Sequence, residues 1–270
     1  PRRSRAARGW RSTRPAGCCD RRRVINDPAF YAVAVPAALL VGLGKAGIGG
    51  GLAMLAVPLM ALSIPVPQAA AIVLPLLTVG DLFGLAALLR QRDRALLRVL
   101  LPSGLVGIVI GLLLFNVTSP RAMGALVGVI ALLFVAQRLL FKPPEQPRVM
   151  PRWAVVLAGT VSGITSFAAH AGGPPISMVL MPMKLAPMTF AATGAVFFAT
   201  INASKWLPYA WLGLIDWTNM STALLLAPCA AAGVWLGVHL VKRIAPVWFY
   251  RLVSVGLFVT GVKLVSDALR

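Results

Sequence analysis

Apolar residues run through this chain in long blocks, broken by a few short polar stretches. The first block, residues 29–64, holds one charge, Lys45. Unbroken as a helix it would be about 54 Å long, against roughly 30 Å of bilayer hydrocarbon, so it must bend, unwind or re-enter. The break falls at residues 41–51, where Gly42, Gly44, Gly47, Gly49, Gly50 and Gly51 surround Lys45. Further blocks cover residues 68–89, 99–115, 122–141, 153–183, 187–209, 218–241 and 247–268. The block 153–183 is also interrupted, at residues 162–175, by Ser162, Gly163, Gly172, Gly173, Pro174 and Pro175, with Thr165, Ser166 and His170 among them. The pattern predicts an all-α polytopic membrane protein of about eight transmembrane helices, with a glycine-rich broken helix opening each half.

The second half repeats the first. Pro102, Gly107 and Gly111 recur as Pro228, Gly233 and Gly237 at a shift of 126, Pro120 as Pro246 at the same shift, and Gly49-Gly50 as Gly172-Gly173 at a shift of 123. The expected division is a basic tail at 1–27, a first four-helix repeat at 28–141, a proline-rich linker at 142–152 and a second four-helix repeat at 153–270. The Gly-x-x-x-Gly pairs at 107/111 and 233/237 are expected to let helix backbones approach closely.

Composition agrees: 59% of 270 residues are hydrophobic and mean hydropathy is +0.83. The net charge of +19 does not point to nucleic acid, because nine arginines sit in the first 23 residues and most other basic residues flank apolar blocks. That distribution encodes topology in an inner membrane and places the tail on the cytoplasmic side. The basic stretch at 90–98 and the linker 142–152 then fall inside as well, if each half crosses four times. Five crossings per half would invert the halves instead, and the sequence leaves both arrangements open. Cys18, Cys19 and Cys229 have no metal or disulfide spacing, so no metal and no cofactor are expected. Homo-oligomerisation is left open.

Freed backbone N–H groups at a helix break, and the positive end of the helix that restarts, make a site for a small anion. The expected substrate-binding residues are Gly44, Lys45, Gly47, Gly49, Gly50 and Gly51 from the first break, Thr165, Ser166, His170, Gly172 and Gly173 from the second, and Asn202. Asp81 and Lys205 occupy matching places, 124 apart, in the second helix of each half. They are expected to pair across the interface or, with His170, to carry a coupling proton. Snorkelling of Lys45 and purely structural roles for His170 and for an Asp81–Lys205 pair are the bland alternatives. Residues 42–47 spell G-x-G-x-x-G, but no acidic residue follows at the dinucleotide spacing, and no Gly-Lys-Ser/Thr marks a P-loop.

The first break, with its continuation from Gly49 to Leu59, resembles the sulfite exporter TauE/SafE family. The stretch Ala171-Gly172-Gly173-Pro174-Pro175 is similar to that family's second repeat. The resemblance spans residues 30–265, and Lys45 and His170 stand where the plainest family motif has small or apolar residues. It implies a secondary transporter, in the exporting sense, for sulfite or an organosulfonate, with a lipid bilayer and a small anion as partners. A passive anion channel is the nearest alternative. A membrane-embedded enzyme is disfavoured, because two histidines far apart and one deep carboxylate supply no nucleophile–base pair.

Overall fold

The computed structural model describes residues 25, 27–45, 52–140, 146–240 and 246–269; side chains at 87, 120, 138, 238, 240 and 246–253 are outside the description. These residues form α-helices and two 3-10 turns, with no strand among them. Eight helices have 18 residues or more: α1 (Pro28–Lys45), α3 (Val66–Leu88), α4 (Arg94–Val117), α5 (Pro120–Leu140), α6 (Arg152–Ala169), α8 (Pro187–Trp211), α9 (Trp217–Leu240) and α10 (Pro246–Leu269). Two short helices, α2 (Ala56–Met60) and α7 (Gly173–Leu180), follow the two interruptions. Five of the helices, α1, α3, α4, α6 and α9, are long and apolar enough to cross a membrane by length and composition. Large apolar side chains such as Phe83, Val109, Leu113, Leu133, Leu139 and Leu224 are exposed on the outer faces, as lipid contact requires.

The second interruption is a reversal. His170 caps α6 in the left-handed conformation, φ 52°. Its N–H donates to Ser166 O at 3.0 Å, and Ala171 N–H reaches back to Thr165 O at 3.3 Å. This is the paired closure that normally uses glycine or asparagine. Ser162 Oγ donates to Gly172 O (2.6 Å) and Thr165 Oγ1 to Ala171 O (3.0 Å), which folds the link onto α6. A Cβ on Gly172 would lie 2.6 Å from Ser162 Oγ, so the close approach itself requires glycine there. Helix α7 then returns towards the start of α6, where Arg148 N–H donates to Pro182 O at 2.9 Å. In the first half, residues 46–51 lie outside the description, but the chain comes back against its own helix: a Cβ on Gly44 would lie 2.9 Å from Ala53 N.

The packing partners exchange when α1–α5 are swapped for α6–α10. Helix α4 packs on α6 and α9 on α1; α4 packs on α8 and α9 on α3; α3 packs on α8 and α5 on α10. The close crossings obey the same exchange. A Cβ on Gly107 would collide with Thr160 O, and one on Gly163 with Gly104 O; a Cβ on Gly233 would collide with Leu39 O, and one on Gly42 with Ala230 O. Small residues are what let these backbones touch.

Residue pairs give the helix directions. On α3 and α8 the pairs Gly84–Ala195, Asp81–Asn202 and Thr78–Trp206 run in opposite senses, so these helices are antiparallel. Gly128–Leu264 and Leu132–Gly261 make α5 and α10 antiparallel too. Ser103–Gly159, Gly107–Gly163 and Gly111–Phe167 rise together, so α4 and α6 are parallel. Ile25–Thr222 and Gly42–Gly233 do the same for α1 and α9. One helix starts earlier than its apolar pattern suggests. Asp93 caps α4 by accepting from Leu96 N–H (3.0 Å), so Arg94 and Arg98 lie in the helix rather than in a basic loop.

Candidate functional site

The end of α1, the chain at Ala53 and the turn between α6 and α7 converge on a small cavity of about 60 Å³, lined by Gly44, Lys45, Ala53, Leu77, Ser166, His170, Gly173, Phe198 and Asn202. At roughly 10–15 Å³ per water this holds a handful of waters or one compact anion. Lys45 is the last residue of α1 and lies along α3. A Cβ on Gly80 would meet its Cγ at 2.8 Å, so Gly80 makes room for the lysine stem. Its ammonium forms an ion pair with Asp81, and the two side chains are 20% and 7% exposed. The other oxygen of Asp81 accepts from Asn202 Nδ2 at 2.6 Å, across the α3–α8 contact. One helical turn away, Trp206 Nε1 donates to Thr78 Oγ1 at 3.0 Å and ties the same two helices together.

Lys205, on α8, is fully buried. Its Nζ faces Ser166 O (3.0 Å), Ser166 Oγ (2.9 Å) and His170 Nδ1 (2.7 Å). The other ring nitrogen, Nε2, is 3.0 Å from Ala70 O on α3. A carbonyl can only accept, so Nε2 carries the hydrogen and donates to it. Nδ1 is then the acceptor for Lys205, and the three donors of an ammonium meet three acceptors. That network assigns the tautomer and explains how a lysine is held so deep. Tyr209, also fully buried, donates from its hydroxyl to Phe167 O at 2.7 Å and stacks edge-on against the Phe167 ring. It holds α8 against the end of α6.

The expected pairing of Asp81 with Lys205 is not formed: Asp81 pairs with Lys45, and Lys205 with Ser166 and His170. Equal positions along α3 and α8 do not make the side chains meet, because each is satisfied by the helix end packed beside it. Six of the residues expected from sequence line the cavity: Gly44, Lys45, Ser166, His170, Gly173 and Asn202. Thr165 and Gly172 do not. The Thr165 hydroxyl is spent on backbone carbonyls of Val161, Ser162 and Ala171, and Gly172 sits behind Ser162. Gly47, Gly49, Gly50 and Gly51 lie outside the described residues. The sequence reading missed Ala53, Leu77 and Phe198 on the wall and Gly80 behind Lys45. Only Gly80 leaves a trace in sequence, as a glycine beside the lone carboxylate of an apolar block.

Among the described residues no group of three or more histidine, cysteine or acidic side chains could hold a metal ion. The chamber is mostly apolar-walled, with a few polar groups set into it: an ammonium, an amide, a hydroxyl, an imidazole edge and Gly173, the first residue of α7, whose helix N-terminus favours negative charge although Pro174 and Pro175 give it no further N–H.

Compared with known proteins, residues 34–264 match the family described as Sulfite exporter TauE/SafE. No curated protein and no solved structure gave a significant match. The match covers most of the chain and takes in both interruptions and the chamber between them: this multi-pass membrane protein belongs to the sulfite exporter TauE/SafE family of membrane transporters.

Proposed function

We propose that the chain is a secondary transporter that exports a small anion, sulfite or an organosulfonate, through the chamber between the two helix interruptions. The observation that carries this reading is the meeting of Lys45, Asn202, Ser166 and His170 around one cavity of about 60 Å³. These residues come from the ends of α1 and α6 and from α8, so a ligand there touches both halves. The Gly173 N–H at the start of α7, with Lys45 and Asn202, would hold the anion, since Pro174 and Pro175 carry no N–H. His170, Asp81 and Lys205 are the groups available to couple its movement to protons.

The halves are proposed to be inverted repeats, each of three long helices plus one long and one short helix that form a re-entrant pair. The exchange of packing partners and the antiparallel α3–α8 and α5–α10 pairs support this over parallel halves. Rocking of one repeat on the other about the α3–α8 contact would then open the chamber to each side in turn.

The test is uptake of radiolabelled sulfite into proteoliposomes, with and without an imposed pH gradient. Saturable uptake, competed by methanesulfonate, supports a carrier. Flux that rises without saturation points to a passive channel. Absence of any sulfite or sulfonate flux by folded, inserted protein rejects the substrate class.

A further inference from the structure

The ammonium that faces the chamber already has a counter-charge. Lys45 is ion-paired with Asp81, and the second oxygen of the same carboxylate takes the Asn202 amide. Lys45 and Asn202 line the cavity, while Asp81 is buried and not part of its wall. An arriving anion needs the positive charge of Lys45, which Asp81 already neutralises, while the ammonium and the amide each keep an N–H for it. The carboxylate and the anion are therefore rivals for one charge.

Displacing Asp81 in its ionised form would leave a buried carboxylate without its cation, which is costly. Displacing it as the neutral acid is not, and the neutral acid keeps the Asn202 hydrogen bond. We propose that Asp81 is a built-in competitor for the anion at Lys45, so that binding one anion goes together with uptake of one proton by Asp81. The balance is simple: a hydronium ion or buffer acid from solution gives its proton to the Asp81 carboxylate and stays behind as water or buffer base, the ion pair opens, and the still-protonated Lys45 pairs with the anion. This inference rests on the anion-site reading above.

The surroundings of Asp81 bear on its titration. Helix α3 is packed by α1, α2, α5, α6, α8 and α9. Lys45 comes from α1, and Lys205 stands on α8 beside His170 at the end of α6. Tyr31 on α1, Tyr209 on α8, and Cys229 and His239 on α9 are the other described titratable groups, and Arg121 and Arg152 lie in the first turns of α5 and α6. None of these six has a hydrogen bond or ion pair to the Asp81 carboxylate; Lys45 and Asn202 do. His170 is held between Lys205 and the Ala70 carbonyl, with both ring nitrogens engaged, so Asp81 is the group with a partner to exchange.

The experiment is titration calorimetry of the full chain in lipid nanodiscs. The probe is methanesulfonate, whose single charge does not change with pH, with sulfite as a second ligand. Two buffers of different ionisation heat report the protons taken up per anion. Wild type is expected to take up one proton per methanesulfonate and, over the pH range in which it does so, to lose affinity about tenfold per unit rise in pH. Asp81→Asn is expected to bind without proton uptake and without that slope, and Asp81→Glu to restore both. Proton uptake that persists in Asp81→Asn, or binding to wild type without uptake, overturns the inference while leaving the anion site standing. If Asp81→Asn does not fold, the wild-type slope and Asp81→Glu decide. Failure of wild type to bind either anion rejects the anion site, and this inference with it.

Discussion

Lys205 Nζ and His170 Nδ1 lie 2.7 Å apart, and through the far side of its ring His170 also holds the Ala70 carbonyl. One side chain thus joins α8, the end of α6 and α3. It does so from a left-handed backbone conformation that is costly for a side chain of this size.

His170→Ala removes an acceptor from a buried ammonium and the donor from a buried carbonyl. We expect a stability loss of about 3 kcal/mol, near the upper end for a buried polar group left unsatisfied. His170→Asn should lose less, since asparagine tolerates the left-handed region. Thermal unfolding in detergent ranks the two, and a His170→Ala protein that melts with wild type would refute the bridging role.

Lys45→Met leaves Asp81 buried without its cation, a change of about 3–5 kcal/mol when one partner of a buried pair is lost. The double variant Lys45→Met, Asp81→Asn should be more stable than Lys45→Met alone yet still fail to bind methanesulfonate. Melting temperature and calorimetry separate these effects. Anion binding by the double variant at wild-type strength would remove Lys45 from the site.

Alanine at the close crossings must push backbones apart. Gly107→Ala, Gly163→Ala and their counterparts Gly233→Ala and Gly42→Ala should each destabilise by about 2–3 kcal/mol. Gly124→Ala and Gly194→Ala, where a Cβ meets nothing within 4 Å, are the controls and should be neutral or slightly stabilising. Equal melting temperatures for both sets would contradict the tight crossings.

Helix directions put the start of α4, the chain before α6, the end of α7 and the end of α9 at one face, and the starts of α1, α3 and α9 at the other. Arg90, Arg92, Arg94, Arg98, Arg148, Arg152 and Lys184 then share a face, opposite Asp27 and Asp216. The nine arginines of residues 2–23 lead into Asp27, and Arg121 opens α5 at that same face, so the lysine and arginine rule does not choose which face is cytoplasmic and leaves the expected cytoplasmic tail open. Single cysteines at 92, 148 and 184 should be labelled by a membrane-impermeant maleimide from one side of the membrane only, and cysteines at 27 and 216 from the other side only, with intact cells and inverted vesicles telling which side is cytoplasmic. Labelling of 27 together with 92 would contradict the inverted arrangement.

The apolar blocks made the long helices legible, and the Gly172-Gly173 doublet located the second interruption, while Gly49-Gly50 lies outside the described residues. Gly107 and Gly233 were readable as contact points because small residues at helical spacing have few other uses in an apolar run. The site was legible where a polar residue stood alone in such a run, as with Lys45, His170 and Asn202. Its wall was not, since Ala53, Leu77 and Phe198 are indistinguishable in sequence from any lipid-facing neighbour. The exchange of partners at Asp81 and Lys205 was hidden for another reason. A repeat fixes height along a helix but not which neighbour a long side chain reaches, and Lys45 reaches Asp81 only because Gly80 clears its path. The early start of α4 was missed because arginines were read as loop, whereas the Asp93 cap lets them continue the helix.

Because α6 turns back at His170 and α7 returns to the side where α6 began, the chain does not fill the membrane evenly at the site. Were water to reach the helix ends at Lys45 and His170 from opposite sides, the electrical potential across the membrane would drop over the layer between them and not over the full hydrocarbon depth. Charge displaced by a few ångströms between Lys45 and Asp81 would sense most of that drop, on the order of 2.3 kcal/mol per elementary charge per 100 mV. A singly charged anion that crosses such a layer together with one proton carries no net charge, so coupled transport should give little current in recordings from protein-loaded supported membranes, and a strongly voltage-dependent current would mark anion movement without the proton.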